Sequence, residues 1–182
     1  GEGLVLARAA HWIAPTRPNV KLALARALGA NGLAGDALVL LNSFEAGSPY
    51  RIVALESRIN MLIAAQNTAS AVAIATQAVN AAPKSMAVKL LYARAQEAAG
   101  NLPDVIATYR QMTGTPEFSR IIPRQQAGYR LLLASALDKS GDWAGAKSEL
   151  EKLLVVDSNN AQALNYLGYS LLERGGERAK ET

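Results

Sequence analysis

Residues 127–172 read AGYRLLLASALDKSGDWAGAKSELEKLLVVDSNNAQALNYLGYSLL. Apolar residues at helical spacing run up to a Ser-Gly-Asp turn at 140–142, resume in a second stretch, and stop at Asp-Ser-Asn-Asn, 157–160. Then the first stretch returns. Leu133, Ala134 and Leu137 recur 34 residues later as Leu167, Gly168 and Leu171, and the turn residue Gly141 recurs as Gly175. A two-helix unit of this kind cannot bury its apolar face alone and must stack on copies of itself.

The same period runs back through the chain. Pro15, Pro49 and Pro83 stand 34 residues apart, each behind an Ala-rich apolar segment. Proline is excluded from helix interiors, so the three mark equivalent helix ends. The first helix of each unit has a compact slot at Ala25, Ile59, Ala93, Ala134 and Gly168, followed three residues on by Leu28, Leu62, Gln96, Leu137 and Leu171. The second helix has a small slot at Ala37, Ala71, Val105 and Ala146, with Phe44, Ala78, Met112 and Leu153 seven residues beyond. The turn between them holds Gly32, Gln66, Gly100, Gly141 and Gly175. Small residues are needed where helix backbones approach closely, and glycine where the chain leaves a helix at positive φ.

These columns predict one all-α domain over residues 1–182, with units at 18–51, 52–85, 86–126 and 127–160 and a partial one at 161–182. Residues 1–17 read as the second helix of a preceding unit, and the N-terminus reads like the middle of a helix, as in a piece of a longer protein. The third unit is longer by seven residues, the excess lying in GTPEFSRIIPRQQ (114–126). There Pro116 and Pro123 flank Phe118, Ile121 and Ile122, which predicts a short apolar plug or an extra turn before the next helix; the alternative is a flexible functional loop. At the C-terminus Ala179 stands one place early for a small slot, which predicts an incomplete last helix.

Composition agrees. Half the residues are hydrophobic but only 5% are aromatic, so Ala and Leu, both strong helix formers, must do the packing. Val-Thr-Ile alternation, the mark of strands, is scarce. The chain has no cysteine, which excludes disulfides, thiolate metal sites and cysteine nucleophiles and leaves the redox compartment open. No apolar run reaches the ~18–20 residues that span a bilayer. The opening GEGLVLARAAHW carries Glu2 and Arg8 where a secretory signal needs an apolar core. The net charge is +4, thinly spread, with a basic excess over 1–126 and a slight acidic excess over 127–182; such a balance is ordinary solvated surface.

Candidate chemistry is sparse. His11 is the single histidine, beside Trp12 on an apolar helix, and without a second histidine or any cysteine no ordinary zinc site can be built. The serines have no histidine relay. Gly29, Gly32 and Gly35 lack both the preceding strand and the Gly-Lys-Ser/Thr of a phosphate loop, and read as an inter-helix turn. Glu149 and Glu151 point to different sides of a helix and read as solvated surface. Arg120, Arg124 and Arg130 form the one basic cluster, but a nucleic-acid surface needs more cations interleaved with aromatics, and only Tyr129 is near. No catalytic residue, metal or cofactor is expected, and an enzyme would need groups this chain lacks.

The columns together resemble the tetratricopeptide repeat (TPR) family over nearly the whole chain. The resemblance implies a right-handed superhelical α-solenoid of antiparallel helix pairs, about four to five of them, acting as a non-catalytic module for protein–protein interaction. It departs from the family at the first-helix anchor, typically Trp and here Lys21, Leu55, Lys89, Arg130 and Leu164, and at the break proline, replaced by Ser158, whose hydroxyl can cap the next helix. The family holds peptides or partner helices in a concave groove lined by first helices. Opposite the small slots this face carries Leu22 and Arg26; Glu56, Asn60 and Ile63; Leu90, Arg94 and Glu97; Leu131, Ser135 and Asp138; and Asn165, Tyr169 and Leu172. That mixture of apolar and polar groups suits an amphipathic or extended peptide, with a partner on the convex face or at the ends as the alternative. The carboxylate clamp of chaperone-binding members is not expected: Asn60 fits one of its places, but Leu22, Arg26, Glu56 and Leu90 occupy the others, and Glu56 would repel a carboxylate. The Ala-rich helices and LNYLGYSLLERG look similar to large bacterial TPR proteins, some in the cell envelope, so cytoplasm and envelope both stay open, as does homo-oligomerisation. The competing reading is a nucleic-acid-binding helical repeat of pentatricopeptide type, whose period is usually 35 against the 34-residue proline spacing here.

Overall fold

In a computed structural model, residues 1–44 and 47–178 are described. Ten α-helices occupy them: α1 (Glu2–Ile13), α2 (Pro18–Ala30), α3 (Ala34–Asn42), α4 (Arg51–Ala64), α5 (Thr68–Ala81), α6 (Met86–Ala98), α7 (Leu102–Thr113), α8 (Pro123–Lys139), α9 (Trp143–Val156) and α10 (Ala161–Arg178). One 3-10 turn, Phe118–Arg120, precedes α8. Among the described residues there is no strand, and the fold is all-helical, built of antiparallel helix pairs. The helices fall into two compact units, residues 1–99 and residues 100–182.

The period is written into the turns. Gly32, Gly100 and Gly141 leave their helices at φ of +79°, +79° and +88°, and Gln66, in the same column, takes φ +59°. An L residue is strained there by roughly 1–2 kcal/mol, so Gln66 holds a glycine's conformation because the packing on either side demands it. The helices after these turns start at Ala34, Thr68, Leu102 and Trp143. Pro15, Pro49 and Pro83 all lie in the breaks that follow second helices.

In the first unit each helix packs on the next, and α4 also lies against α2 and α6. The small slots are where the sequence columns put them: Ala25, Ala37, Ile59, Ala71 and Ala93 have no exposed surface. Ala25 and Ala37 share a core with Leu22, Leu24, Leu28 and Leu41. Ile59 is large for its column, and shares a second core with Ala71 and Ala75, whose short side chains leave it room. Gln96 stands in the leucine column and is buried all the same; its amide Nε2 donates to the Tyr92 hydroxyl at 2.7 Å, which removes most of the cost of burying it.

In the second unit α8 packs between α7 and α9, and α9 also meets α10. Val105, Ala134 and Ala146 are fully buried, with Met112, Leu150 and Leu153. The extra residues of 114–126 supply both a plug and a turn. Phe118, at 2% exposure, sits in the core, its ring centroid 6.3 Å from that of Tyr129, while Ile122 stays largely in solvent.

Several sequence expectations are corrected here. Gly175 is not a turn: α10 runs through it to Arg178, and Leu171, in the buried leucine column, is half exposed. Ser158 does not cap α10. Asn160 does so, its Oδ1 accepting from Ala163 N at 3.0 Å, because the cap must stand next to the first helical residue. Of the supposed glycine loop only Gly32 lies in the turn; Gly29 is in α2 and Gly35 in α3. Ala179 lies outside the described residues.

Glu149 is not solvated surface either. It is buried, and its Oε2 accepts from Arg130 Nη1 at 2.7 Å, with Lys152 at Oε1. Arg130 also lies over the Phe118 ring, 5.2 Å from its centroid. One member of the supposed basic cluster is therefore neutralised inside the fold.

Candidate binding surface

In the first unit the face of interest is carried by α2, α4 and α6. Asn60 and Arg94 hold equivalent places one repeat apart, and the repeat brings them into contact. Arg94 Nη1 donates to Asn60 Oδ1 at 3.1 Å and to Glu56 Oε1 at 3.2 Å. The Arg94 and Glu56 side chains each keep 44% of their surface in solvent. Water and salt therefore screen the pair strongly, and it fixes the direction of the guanidinium more than it stabilises the unit. Arg26 and Glu97 are exposed, while Ile63 and Leu90 are half-buried. Leu22 is buried in the first core: it supports the face from behind and offers a partner nothing.

In the second unit the face is carried by α8 and α10. A cavity of about 440 Å³ opens there, lined by Asp138, Gln162, Asn165, Tyr166, Tyr169 and Ser170. It gathers three of the expected residues, Asp138, Asn165 and Tyr169. The Tyr166 hydroxyl donates to Asp138 Oδ2 at 2.8 Å, tying α10 to α8 across the cavity floor. Tyr169 presents much of its ring to solvent, at 65% exposure. Leu131 and Ser135 lie further back on α8, half-buried, and Leu172 is exposed at the edge of α10. The sequence reading missed Gln162, Tyr166 and Ser170. Gln162, Tyr166 and Tyr169 follow at four and three residues, one helix stripe, and widening the face from Asn165 and Tyr169 by one turn would have found them.

The lining is amides, hydroxyls, aromatic rings and the Asp138 carboxylate, which the Tyr166 hydroxyl holds. Such groups accept and donate to peptide backbone and pack on side chains. Among the described residues no cluster of His, Asp and Glu could hold a metal ion, and His11 stands by itself, half-buried on α1.

Residues 62–115 and residues 131–176 each match the tetratricopeptide repeat family, and between them they take in more than half of the chain. The chain belongs to the tetratricopeptide-repeat family. Among solved structures it is similar to one titled MamA MSR-1 C2, at 17% sequence identity and a TM-score of 0.54, over 88% of this chain and 95% of that one. At that identity the likeness is one of fold. No curated protein matches the chain.

α2, α4, α6, α8 and α10 carry Ala25, Ile59, Ala93, Ala134 and Gly168, the compact-slot column that the sequence reading assigns to first helices, and both parts of the candidate surface lie on these helices. No helix among the described residues is long and apolar enough to cross a membrane.

Proposed function

We propose that this helical-repeat scaffold is a non-catalytic interaction module that holds an extended peptide or a partner helix against the exposed faces of its first helices. The observation that carries the reading is the α8/α10 cavity. Its volume, about 440 Å³, falls in the range of roughly 300–1,000 Å³ usual for ligand sites. Asn165 and Gln162 offer paired donor and acceptor groups to a peptide backbone, and the Tyr169 ring offers an exposed flat surface for an apolar or aromatic side chain. In the first unit, Arg94 held by Asn60 and Glu56 offers a directed guanidinium, and a partner carboxylate there must compete with Glu56.

The test is selection of peptides from a displayed random library on the intact chain. Binding of the selected peptides is then measured by calorimetry on Asn165→Ala, Tyr169→Ala and a control, Lys147→Glu, on the exposed side of α9. Asn165→Ala and Tyr169→Ala are expected to weaken binding at least tenfold, about 1.4 kcal/mol or more, and Lys147→Glu to leave it unchanged. Peptides that bind all three variants as tightly as the parent would move the site off the first-helix faces.

A further inference from the structure

A second cavity lies on the far side of α4. At 100° per residue, Arg51 and Arg58 point roughly opposite to Glu56 and Asn60, toward α3 and α5. There they line a cavity of about 320 Å³ together with Phe44, Leu55, Ile74 and Gln77. Three properties set this cavity apart. It holds two guanidinium groups, and among the described residues no carboxylate lines it. Arg58 Nε is buried without a hydrogen-bond partner. Apart from the amides of Asn42 and Gln77, its remaining wall is apolar, with Leu55 and Ile74 packed against the second core and Phe44 against the first, the Lys21 ammonium lying 5.9 Å from the Phe44 ring centroid.

Arg58 is half-buried; its shielded Nε–H without an acceptor is costly, and the guanidinium's fork of donors matches a carboxylate in both spacing and charge. Burial also pushes the Arg58 pKa below its ordinary value, because desolvation disfavours the charged form. Since arginine stays protonated at neutral pH, Arg58 keeps its charge and favours an anion in the cavity. A bare inorganic anion would satisfy the guanidinium and leave the apolar wall wet. A carboxylate attached to an apolar group would satisfy both.

We propose that this cavity is a binding site, separate from the first-helix faces, for a carboxylate carried on a small apolar group, with Arg58 and Arg51 holding the carboxylate and Phe44, Leu55 and Ile74 the apolar body. At about 320 Å³ it takes one such group, near the lower end of ligand-site volumes. The carboxylate has two sources, a free organic acid or an acidic side chain beside an apolar one on a partner peptide.

The test is titration of the intact, isotope-labelled chain followed by amide and arginine Nε–H resonances. The probes are 4-phenylbutyrate for the free acid and acetyl-Leu-Glu-Phe-amide for the peptide, with acetate, inorganic phosphate and 4-phenylbutanol as controls. The expected result is saturable shifts in α3, α4 and α5 and at Arg58 Nε–H with one or both carboxylate probes; which of them binds names the source. Acetate, phosphate and phenylbutanol are each expected to bind at least tenfold more weakly, and Arg58→Gln to weaken the probe at least tenfold. Arg51→Gln, at an exposed position, gives the same readout should Arg58→Gln fold poorly. Glu45→Gln is titrated alongside, so that a carboxylate next to Phe44 in the sequence, if it competes, shows as tighter probe binding. Three results would overturn the proposal: no saturable shift with either probe in parent and Glu45→Gln alike, phosphate or phenylbutanol binding as well as the probes, or unchanged probe binding in both arginine variants.

Discussion

Glu149→Ala tests how α9 is fastened to α8. The Glu149 carboxylate takes Arg130 on one oxygen and Lys152 on the other, and the Arg130 and Glu149 side chains keep only 18% and 11% of their surface exposed. Removing one partner of a buried pair costs about 3–5 kcal/mol, because the other charge stays buried and unpaired. Here Arg130 retains some water and the Phe118 ring, so the low end applies, about 3 kcal/mol. Replacing both, Arg130→Met with Glu149→Leu, removes the two desolvation penalties together with the attraction and should cost about 1 kcal/mol or less. A double-mutant cycle closed with Glu149→Leu and Arg130→Met as the single variants should then yield a coupling of roughly 2 kcal/mol or more. Lys152→Ala, at a side chain 55% exposed, should cost no more than about 1 kcal/mol. Repeat proteins open locally, so the assay is native-state hydrogen exchange on the amides of α8 and α9, with urea unfolding beside it. If Glu149→Ala lowers protection in α8 and α9 no more than the double variant does, the pair is not what fastens these helices and the reasoning fails.

Other perturbations follow from the same packing. Ala71→Leu and Ala146→Leu fill slots with no exposed surface and should each cost roughly 1–3 kcal/mol by overpacking, with exchange protection lost first in α4 and α5 or in α8 and α9; parent-like melting of both would refute the register. Gln66→Gly relieves positive φ at a turn and should stabilise by up to about 1 kcal/mol, whereas Gly100→Ala, at φ +79°, should destabilise by about 1 kcal/mol; opposite signs in urea unfolding would sink the assignment. Arg94→Ala removes an exposed ion pair and should change stability by less than about 1 kcal/mol. A larger loss on thermal unfolding would make Arg94 a structural residue and withdraw it from the binding face.

The fold was legible because its determinants are local and repeated. A small residue where two backbones meet is forced by distance, and a left-handed turn residue is forced by direction, so both leave a mark at every period. Ala37, Ala71, Val105 and Ala146 could be aligned without any knowledge of their neighbours, and all four are fully buried. What failed was whatever depended on a particular neighbour. Gly175 looked like Gly141 in sequence, but a glycine turns only where the following helix packs back, and α10 continues instead. Ser158 looked like a cap by type, yet the helix starts three residues later and takes Asn160.

The candidate surface divides along the same line. The stacking of its residues was legible, since Asn60 and Arg94 occupy one column and the column became a contact. Its charge state was not. Glu56, Asn60 and Arg94 read in sequence as three separate groups offered to a partner, and three-dimensional stacking turns them into one hydrogen-bonded surface cluster. Glu149 read as a solvated acid because α9 alone gives no hint that Arg130, nineteen residues earlier, reaches it from the neighbouring helix. The arginines of the second cavity invert the case. Arg51 and Arg58 lie seven residues apart on one face of α4 and look like surface charge, and only the closure of α3 and α5 around them leaves Arg58 half-buried with its Nε shielded and unpartnered. In a stacked-helix protein the column fixes which residues face each other, while burial and pairing of each charge are set by what the adjacent helix contributes.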